Sequence, residues 1–284
     1  MSTISAGAVK ALRDRTNAPM MDCKAALTEA SGDMEKAVEV LRKKSKDIMD
    51  KKGARETAEG RVAVFIDNAK QVGAILEIRC ESAPVVKSEH FVKLATDLAR
   101  QIGEKNPKTV EELLTQPFVG DPKKSVNERI GEVIGLIREN MKPARFTRLS
   151  GGHFGAYTHH DGSVGVLLQV EGANADEQLL RDVCMHITAR APLAAREEDV
   201  SPTVLAKEKE IAMGQIAADP KNAKKPPNIM EMIVEGKVKA WLKENVLVDQ
   251  PFVKDDSKTV GELLKAAGLK IVRFVRYKVG EIGA

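Results

Sequence analysis

The side chains that could do chemistry in this chain fall into a few small groups. His159-His160-Asp161 sets two imidazoles beside a carboxylate, a donor set suited to a borderline divalent metal or to proton transfer. The three fall in what reads as a hairpin turn, and adjacent strand residues face opposite ways, so joint chelation is disfavoured. No metal ligand set or cofactor is assigned. An enzyme would need His153, His159 and Asp161 to converge. His90 has no visible partner in sequence, and His186 reads as the satisfied polar tip of a helix core. Ser150-Gly151-Gly152 has the composition of an anion cradle but reads as a turn. There is no P-loop, no G-x-G-x-x-G after a strand, no G-x-S-x-G and no H-E-x-x-H. No catalytic residue is assigned.

The remaining group is Met20-Met21-Asp22-Cys23 at the head of a short helix. Met20, Cys23, Leu27 and Ala30 fall on one helical stripe, so Cys23 reads as a small core residue. Met21 points off that stripe. An exposed methionine at a helix start is a soft docking surface. Cys23, Cys80 and Cys184 are scattered and odd in number, which reads as reduced thiols in a cytosolic setting.

These groups must be positioned by a recognisable series of elements. Residues 1–44 read as a three-helix bundle: Ser5 caps the first helix, with Ile4 and Val9 as a hydrophobic staple. Pro19 suits the first turn of the second helix, and Asp33 after Gly32 caps the third. Residues 45–60 turn polar and read as a linker, helical in part. Residues 61–82 read as a hairpin about D-N-A-K-Q, and 89–103 as a helix. That grammar returns after residue 150, with a hairpin over 155–172 and a helix over 178–192. Two echoes support a repeat: QVGAILEI (71–78) against SVGVLLQV (163–170), and QPFVGDPKKSVNE (116–128) against QPFVKDDSKTVGE (250–262). The expected fold is α+β: bundle, linker, then two related subdomains over 61–150 and 151–284. Helices should cover one face of antiparallel sheets. Residues 201–246 read as an inserted αα-hairpin with a breaker-rich turn at 219–228, and 269–279 as a closing amphipathic strand.

Composition narrows the function. The 284 residues are 43% apolar and 30% charged, with 45 basic against 41 acidic side chains. That near-balance and an aromatic content of 4% argue against direct nucleic-acid binding. No apolar run approaches a membrane span, and the opening residues lack a signal peptide's apolar core. The expected location is the cytoplasm.

The run LRDRTNAPMMDCKAALTEASGDMEKAVEVLRKK (12–44) resembles the N-terminal, ubiquitin-associated-like module of bacterial elongation factor Ts proteins. The resemblance continues through GAILEIRCES, GAYTHHDGSVGVLL, the C-M-H helix, MIVEGKVKAW and DQPFVKDDSKTVGELL, covering about residues 5–280. It implies a guanine-nucleotide exchange factor without covalent chemistry. Its partner would be elongation factor Tu, a GTPase, in GDP-bound and nucleotide-free forms. GDP release would follow from distorting the partner's magnesium and phosphate site. By position, Leu12, Met20 and Met21 would contact the G domain, and His159, Phe252 and Val253 would lie in the second subdomain's contact with domain 3. The commonest family text after the second strand is T-D-F-V, whose acidic and aromatic residues intrude beside that magnesium. Here the stretch is Ser82, Ala83, Pro84, Val85, so the carboxylate is gone and proline replaces the ring. Many relatives also continue into a further helical module beyond the final strand; here the sequence ends Gly280-Glu281-Ile282-Gly283-Ala284, so the expectation is either lower affinity or a larger part for the αα-hairpin. The alternative reading is a non-catalytic adaptor that binds another protein through its bundle.

Overall fold

The computed structural model describes residues 4–173, 175–219 and 226–281. Ser5 is extended, and its hydroxyl accepts the Ala8 N–H at 3.1 Å, opening α1 (Ala6–Thr16). Pro19 stands just outside α2 (Met20–Glu29) rather than within its first turn. Gly32, at φ +89°, reverses the chain. Asp33 then accepts the Lys36 N–H at 3.0 Å and caps α3 (Met34–Lys52). Val9, Leu12, Cys23, Leu27, Ala37 and Leu41 make the bundle's core, with Ile4 packed on it.

The third helix does not end near residue 44. It runs 19 residues, so the expected linker is helix over its first half. Ala37 and Leu41 serve the bundle, whereas Ile48 and Met49 pack into the next core. Apolar side chains on later turns of the same helix give this long polar-looking stretch a reason to stay helical.

The first subdomain opens with β1 (Glu59–Asp67) and β2 (Val72–Cys80). It continues with α4 (Ala83–Val86), α5 (Glu89–Lys105) and α6 (Val110–Thr115). The short pair β3 (Pro117–Phe118) and β4 (Asp121–Ser125), then α7 (Val126–Ile137) and β5 (Met141–Ser150), complete it. The second repeats the plan: β6 (His153–Thr158), β7 (Val164–Glu171) and α8 (Glu177–Arg190). It ends with β8 (Pro251–Phe252), β9 (Asp255–Thr259), α11 (Val260–Ala266) and β10 (Lys270–Lys278). The insert α9 (Pro202–Ala218) and α10 (Pro227–Asn245) is an antiparallel pair about Ala212, Ile216 and Val238. Most of its expected turn, 220–225, lies outside the described residues.

Among the described residues two three-stranded antiparallel sheets result, ordered β1-β2-β5 and β6-β7-β10, beside the two-stranded pairs β3-β4 and β8-β9. Each has helices on one face: Ala74, Leu76 and Ile78 meet α5 and α7, and Val166, Leu168 and Val170 meet α8 and α11. The other faces pack on each other through Val62, Ile75, Leu149, Phe154, Leu167 and Tyr277. The central strands β2 and β7 are therefore covered on both sides. This is why QVGAILEI and SVGVLLQV are continuous apolar runs rather than alternating ones. Burying each such Ile or Leu contributes about 1.5–3 kcal/mol.

The echo between these strands also has a steric cause. A Cβ on Gly73 would stand 2.7 Å from Phe154, and one on Gly165 would stand 2.4 Å from Val62. Both glycines let the sheets approach. Two residues past Ile75 on the same face is Glu77, buried and shared by both sheets. Its carboxylate accepts from Arg79 Nη1 at 2.9 Å, Arg145 Nε at 2.8 Å and the Gly280 N–H at 3.0 Å. Arg145 also lies over the Tyr277 ring, 4.3 Å from its centroid, and donates to the Lys278 carbonyl.

A candidate protein-docking site

The methionine pair sits at the head of α2 with its side chains in solvent: Met20 is 52% exposed and Met21 72%. The sequence stripe assigned Met20 to the core; at the helix's first position its side chain instead leaves the bundle. Cys23, one turn on, is fully buried, with Sγ 3.5 Å from the Ala18 carbonyl. Between them Asp22 fastens the tip. Its carboxylate takes Lys44 of α3 at 2.7 Å and Arg138 at the end of α7 at 2.5 Å. The exposed sulfur pair is thus tied to the core as well as to its own bundle. Leu12 is fully buried among Val9, Leu27 and their neighbours, so it shapes this tip from within and offers no surface of its own.

Ser82, Ala83, Pro84 and Val85 are not an open loop. They form the start of the one-turn helix α4, with Ala83 and Pro84 exposed and Val85 and Val86 buried in the subdomain core. Proline favours this conformation near a helix start, where its missing N–H goes unused. Glu139 grips the entry: it accepts from Ser82 Oγ at 2.6 Å and from the Ser82 N–H at 3.1 Å. The neighbouring Glu81 is held below the usual carboxylate range by the Asn140 N–H and by Arg55. Asn140 in turn donates to the carbonyls of Gly53 and Arg55, just past the end of α3. A single helix thereby joins the methionine tip to the anchorage of the Pro84 turn. Sequence gives Glu139 no role and Asp22 only its place beside the methionines; lone carboxylates carry no pattern until their partners are placed.

In the second subdomain His159 is half-buried at the end of β6, its Nδ1 3.3 Å from the Tyr157 hydroxyl. Val253 is 45% exposed at the β8–β9 turn. Phe252 is buried and stacks on His186, so it supports that turn and does not face outward.

The convergence of His153, His159 and Asp161 that an enzyme would need is not present. His153 and His159 bracket strand β6, which at roughly 3.3 Å per residue puts their backbones about 20 Å apart. His159, His160 and Asp161 do share one side of a turn, with candidate ligand atoms within 4.8 Å, because they lie beyond the strand and its alternation does not reach them. Asp161 is held below the usual carboxylate range by the Ser163 N–H and hydroxyl. A cleft of about 620 Å³ between bundle and core is lined with charge. Its Arg15, Lys44, Arg100 and Lys124 are already paired with Glu35, Asp22, Glu104 and Glu132.

The thiols are equally unsuited to chemistry. Burial pushes Cys23 up and Cys80 to about 12, and it raises Cys184 further. An aromatic disulfide reagent at pH 8 should label the native protein at least ~100-fold more slowly than the unfolded chain. Fast labelling of one thiol in the native protein would contradict this burial.

Among the described residues no helix is long and apolar enough to cross a membrane. A family model described as elongation factor TS matches residues 84–281. The elongation factor Ts of Thioalkalivibrio sulfidiphilus is 43% identical over 282 residues, 98% of this chain and 93% of the relative. That of Methylococcus capsulatus is 43% identical over 281 residues, again 98% and 93%. That of Clostridium perfringens is 42% identical over 290 residues, with the same coverage. With the fold repeated in two halves and relatives of this identity along nearly its whole length, this chain belongs to the elongation factor Ts family.

Proposed function

We propose that this chain is a guanine-nucleotide exchange factor for elongation factor Tu and works by surface complementarity alone. The observation that carries the reading is the exposed methionine pair. Two large apolar side chains stand in solvent at the tip of a bundle that could have buried them, and Asp22 spends two ion pairs fixing their direction. Exposed, polarizable side chains on a rigid support suit the groove of another protein. Val253 and His159 offer a second contact on the far subdomain, as a protein gripping two domains of a partner requires.

Exchange needs no nucleophile. A factor that binds the nucleotide-free GTPase more tightly than the GDP form weakens GDP binding by the same ratio, through linkage. The means would be differential fit: the Pro84 turn presses beside the magnesium and phosphate site while the methionine tip holds the G domain. Ala83 brings no charge to that site, so magnesium loss would follow from displaced partner helices. A wedge can transmit displacement only if it does not yield, and the Glu139 and Val85 anchors supply that stiffness.

The direct test is release of a fluorescent GDP analogue from elongation factor Tu with and without this protein. Release should accelerate in a saturable way; an unchanged dwell time at saturating protein removes the reading. Ala83→Asp with Pro84→Phe restores the text common in relatives and should raise catalysed release by several-fold, up to about tenfold, or about 1.4 kcal/mol of barrier. An unchanged rate would mean that this turn does not limit exchange.

A further inference from the structure

The two QPFV segments sit in one hydrogen-bond pattern made by different side chains. In the first subdomain Gln101 is fully buried on α5. Its Oε1 accepts the Val119 N–H at 2.8 Å, and its Nε2 donates to Gln116 Oε1 and the Pro117 carbonyl, each at 3.1 Å. Gln116 passes the chain on to the Lys105 carbonyl at 3.4 Å, and its own carbonyl accepts the Val126 N–H at 3.0 Å. In the second subdomain the buried residue is His186 on α8. Its Nδ1 accepts the Val253 N–H at 3.1 Å, and its Nε2 lies 2.8 Å from Gln250 Oε1. Gln250 donates to the Glu244 carbonyl at 2.6 Å, and its carbonyl accepts the Val260 N–H at 3.1 Å. Every bond of the first network has a counterpart in the second except the one to the Pro117 carbonyl.

A single protonation state satisfies the second network. The Val253 N–H can only donate, so Nδ1 is bare. Gln250 spends its amide N–H on Glu244 and presents its oxygen to the ring, so Nε2 carries the proton. An imidazolium would set N–H against N–H at Val253. The surroundings favour the neutral ring: burial lowers its proton affinity most, the Gln250 hydrogen bond opposes this in part, and the positive Arg190 on the same helix lowers it a little more. Phe252, stacked on the ring, is uncharged. Glu244 contributes its carbonyl, and Lys254 on the neighbouring turn is paired with Asp182 at 2.7 Å.

We propose that the neutral, Nε2-protonated form of His186 is a positioning group for the second docking surface. It holds the Gln250–Val253 turn so that the exposed Val253 side chain projects; the Gln101 amide takes the Val119 N–H in the same way in the first subdomain, where the Val119 side chain packs on the core. The docking role rests on the exchange-factor reading; the network itself does not. Glutamine can neither gain nor lose this proton, so acid would release the turn in one half of the core and spare the other.

The variants His186→Gln and His186→Leu test this in the full chain. The first transplants the side chain that nature uses in the other half, and the second fills the space but cannot bond. Imidazole ¹⁵N spectra of the wild type should show bare Nδ1 and protonated Nε2 well below pH 6.5; the opposite tautomer, or ordinary titration near 6.5, overturns the proposal. The ring's proton affinity is lowered on folding, so its stabilising share is whole above about pH 6.5 and declines as pH falls below it. His186→Gln should therefore gain in Tm relative to wild type between pH 7.5 and 5.5, and a constant difference counts against the network. On elongation factor Tu at pH 7.5, His186→Leu should dissociate about tenfold faster and His186→Gln within about twofold of wild type. Equal losses in both variants, or none in either, would overturn the positioning role. Exchange by the wild type, measured alongside, reports separately on the function itself.

Discussion

Changing Met20 and Met21 together to alanine should cut catalysed GDP release by about 30- to 100-fold while leaving the thermal midpoint where it was. The asymmetry follows from where the side chains lie. Both are largely in solvent, so the folded chain loses little by shortening them, within about 0.5 kcal/mol. In a partner's groove each would bury a thioether and two methylenes, and truncating such an anchor costs about 1–2 kcal/mol. Two neighbours on one rigid tip give about 2–2.7 kcal/mol, which converts to the stated range. Stopped-flow release at subsaturating protein is the measurement, because loss of binding is read in kcat/KM. Met20→Leu with Met21→Leu keeps volume and apolarity and should recover most of the activity. A double-alanine variant that exchanged nucleotide normally would place the docking surface elsewhere on the molecule.

The second large effect concerns stability. Glu77→Ala should destabilise the fold by roughly 3–5 kcal/mol, because it removes the buried counter-charge of Arg79 and Arg145, which keep only their carbonyl partners, and leaves the Gly280 N–H without its acceptor. For a chain of this size that is a fall of roughly 10 °C in the thermal midpoint. Glu77→Gln should cost clearly less. The second half of the protein itself carries glutamine at the matching place: Gln169 sits two residues after Leu167 and donates to the Ser150 and Gly151 carbonyls. Thermal unfolding followed by circular dichroism separates the two variants. Equal midpoints for alanine and wild type would mean that the carboxylate contributes nothing net to joining the sheets.

Much of this architecture was legible beforehand because local signals and tertiary packing agreed. Ser5 and Asp33 cap the helices they were expected to cap, and the D-N-A-K-Q turn joins the strands expected on either side of it. The repeated words mark repeated structure for a reason the bare words did not disclose. Gly73 and Gly165 clear the same inter-sheet space, and Gln116 and Gln250 close equivalent networks. What sequence could not supply was the meeting of distant residues. Asp22 pairs with Arg138 across 116 positions, and Ser82 is held by Glu139 across 57. The buried position of Phe252 was hidden for a related reason, whereas Leu12, three residues after Val9, already fell on the first helix's apolar face. Resemblance carries a residue's place along the chain but not which way its side chain points. The histidine–aspartate turn failed as a sequence argument because the two-residue period of a strand stops where the strand stops.

Helix α3 belongs to two hydrophobic cores at once, giving Ala37 and Leu41 to one and Ile48 and Met49 to the other. The module it begins in therefore cannot swing on a tether in search of its target. It stands as a fixed prow, and one unbroken helix runs from beside the methionines to the anchorage of the proline turn. A glycine-rich splice into that helix would leave each core folded and uncouple the methionine tip from the proline turn.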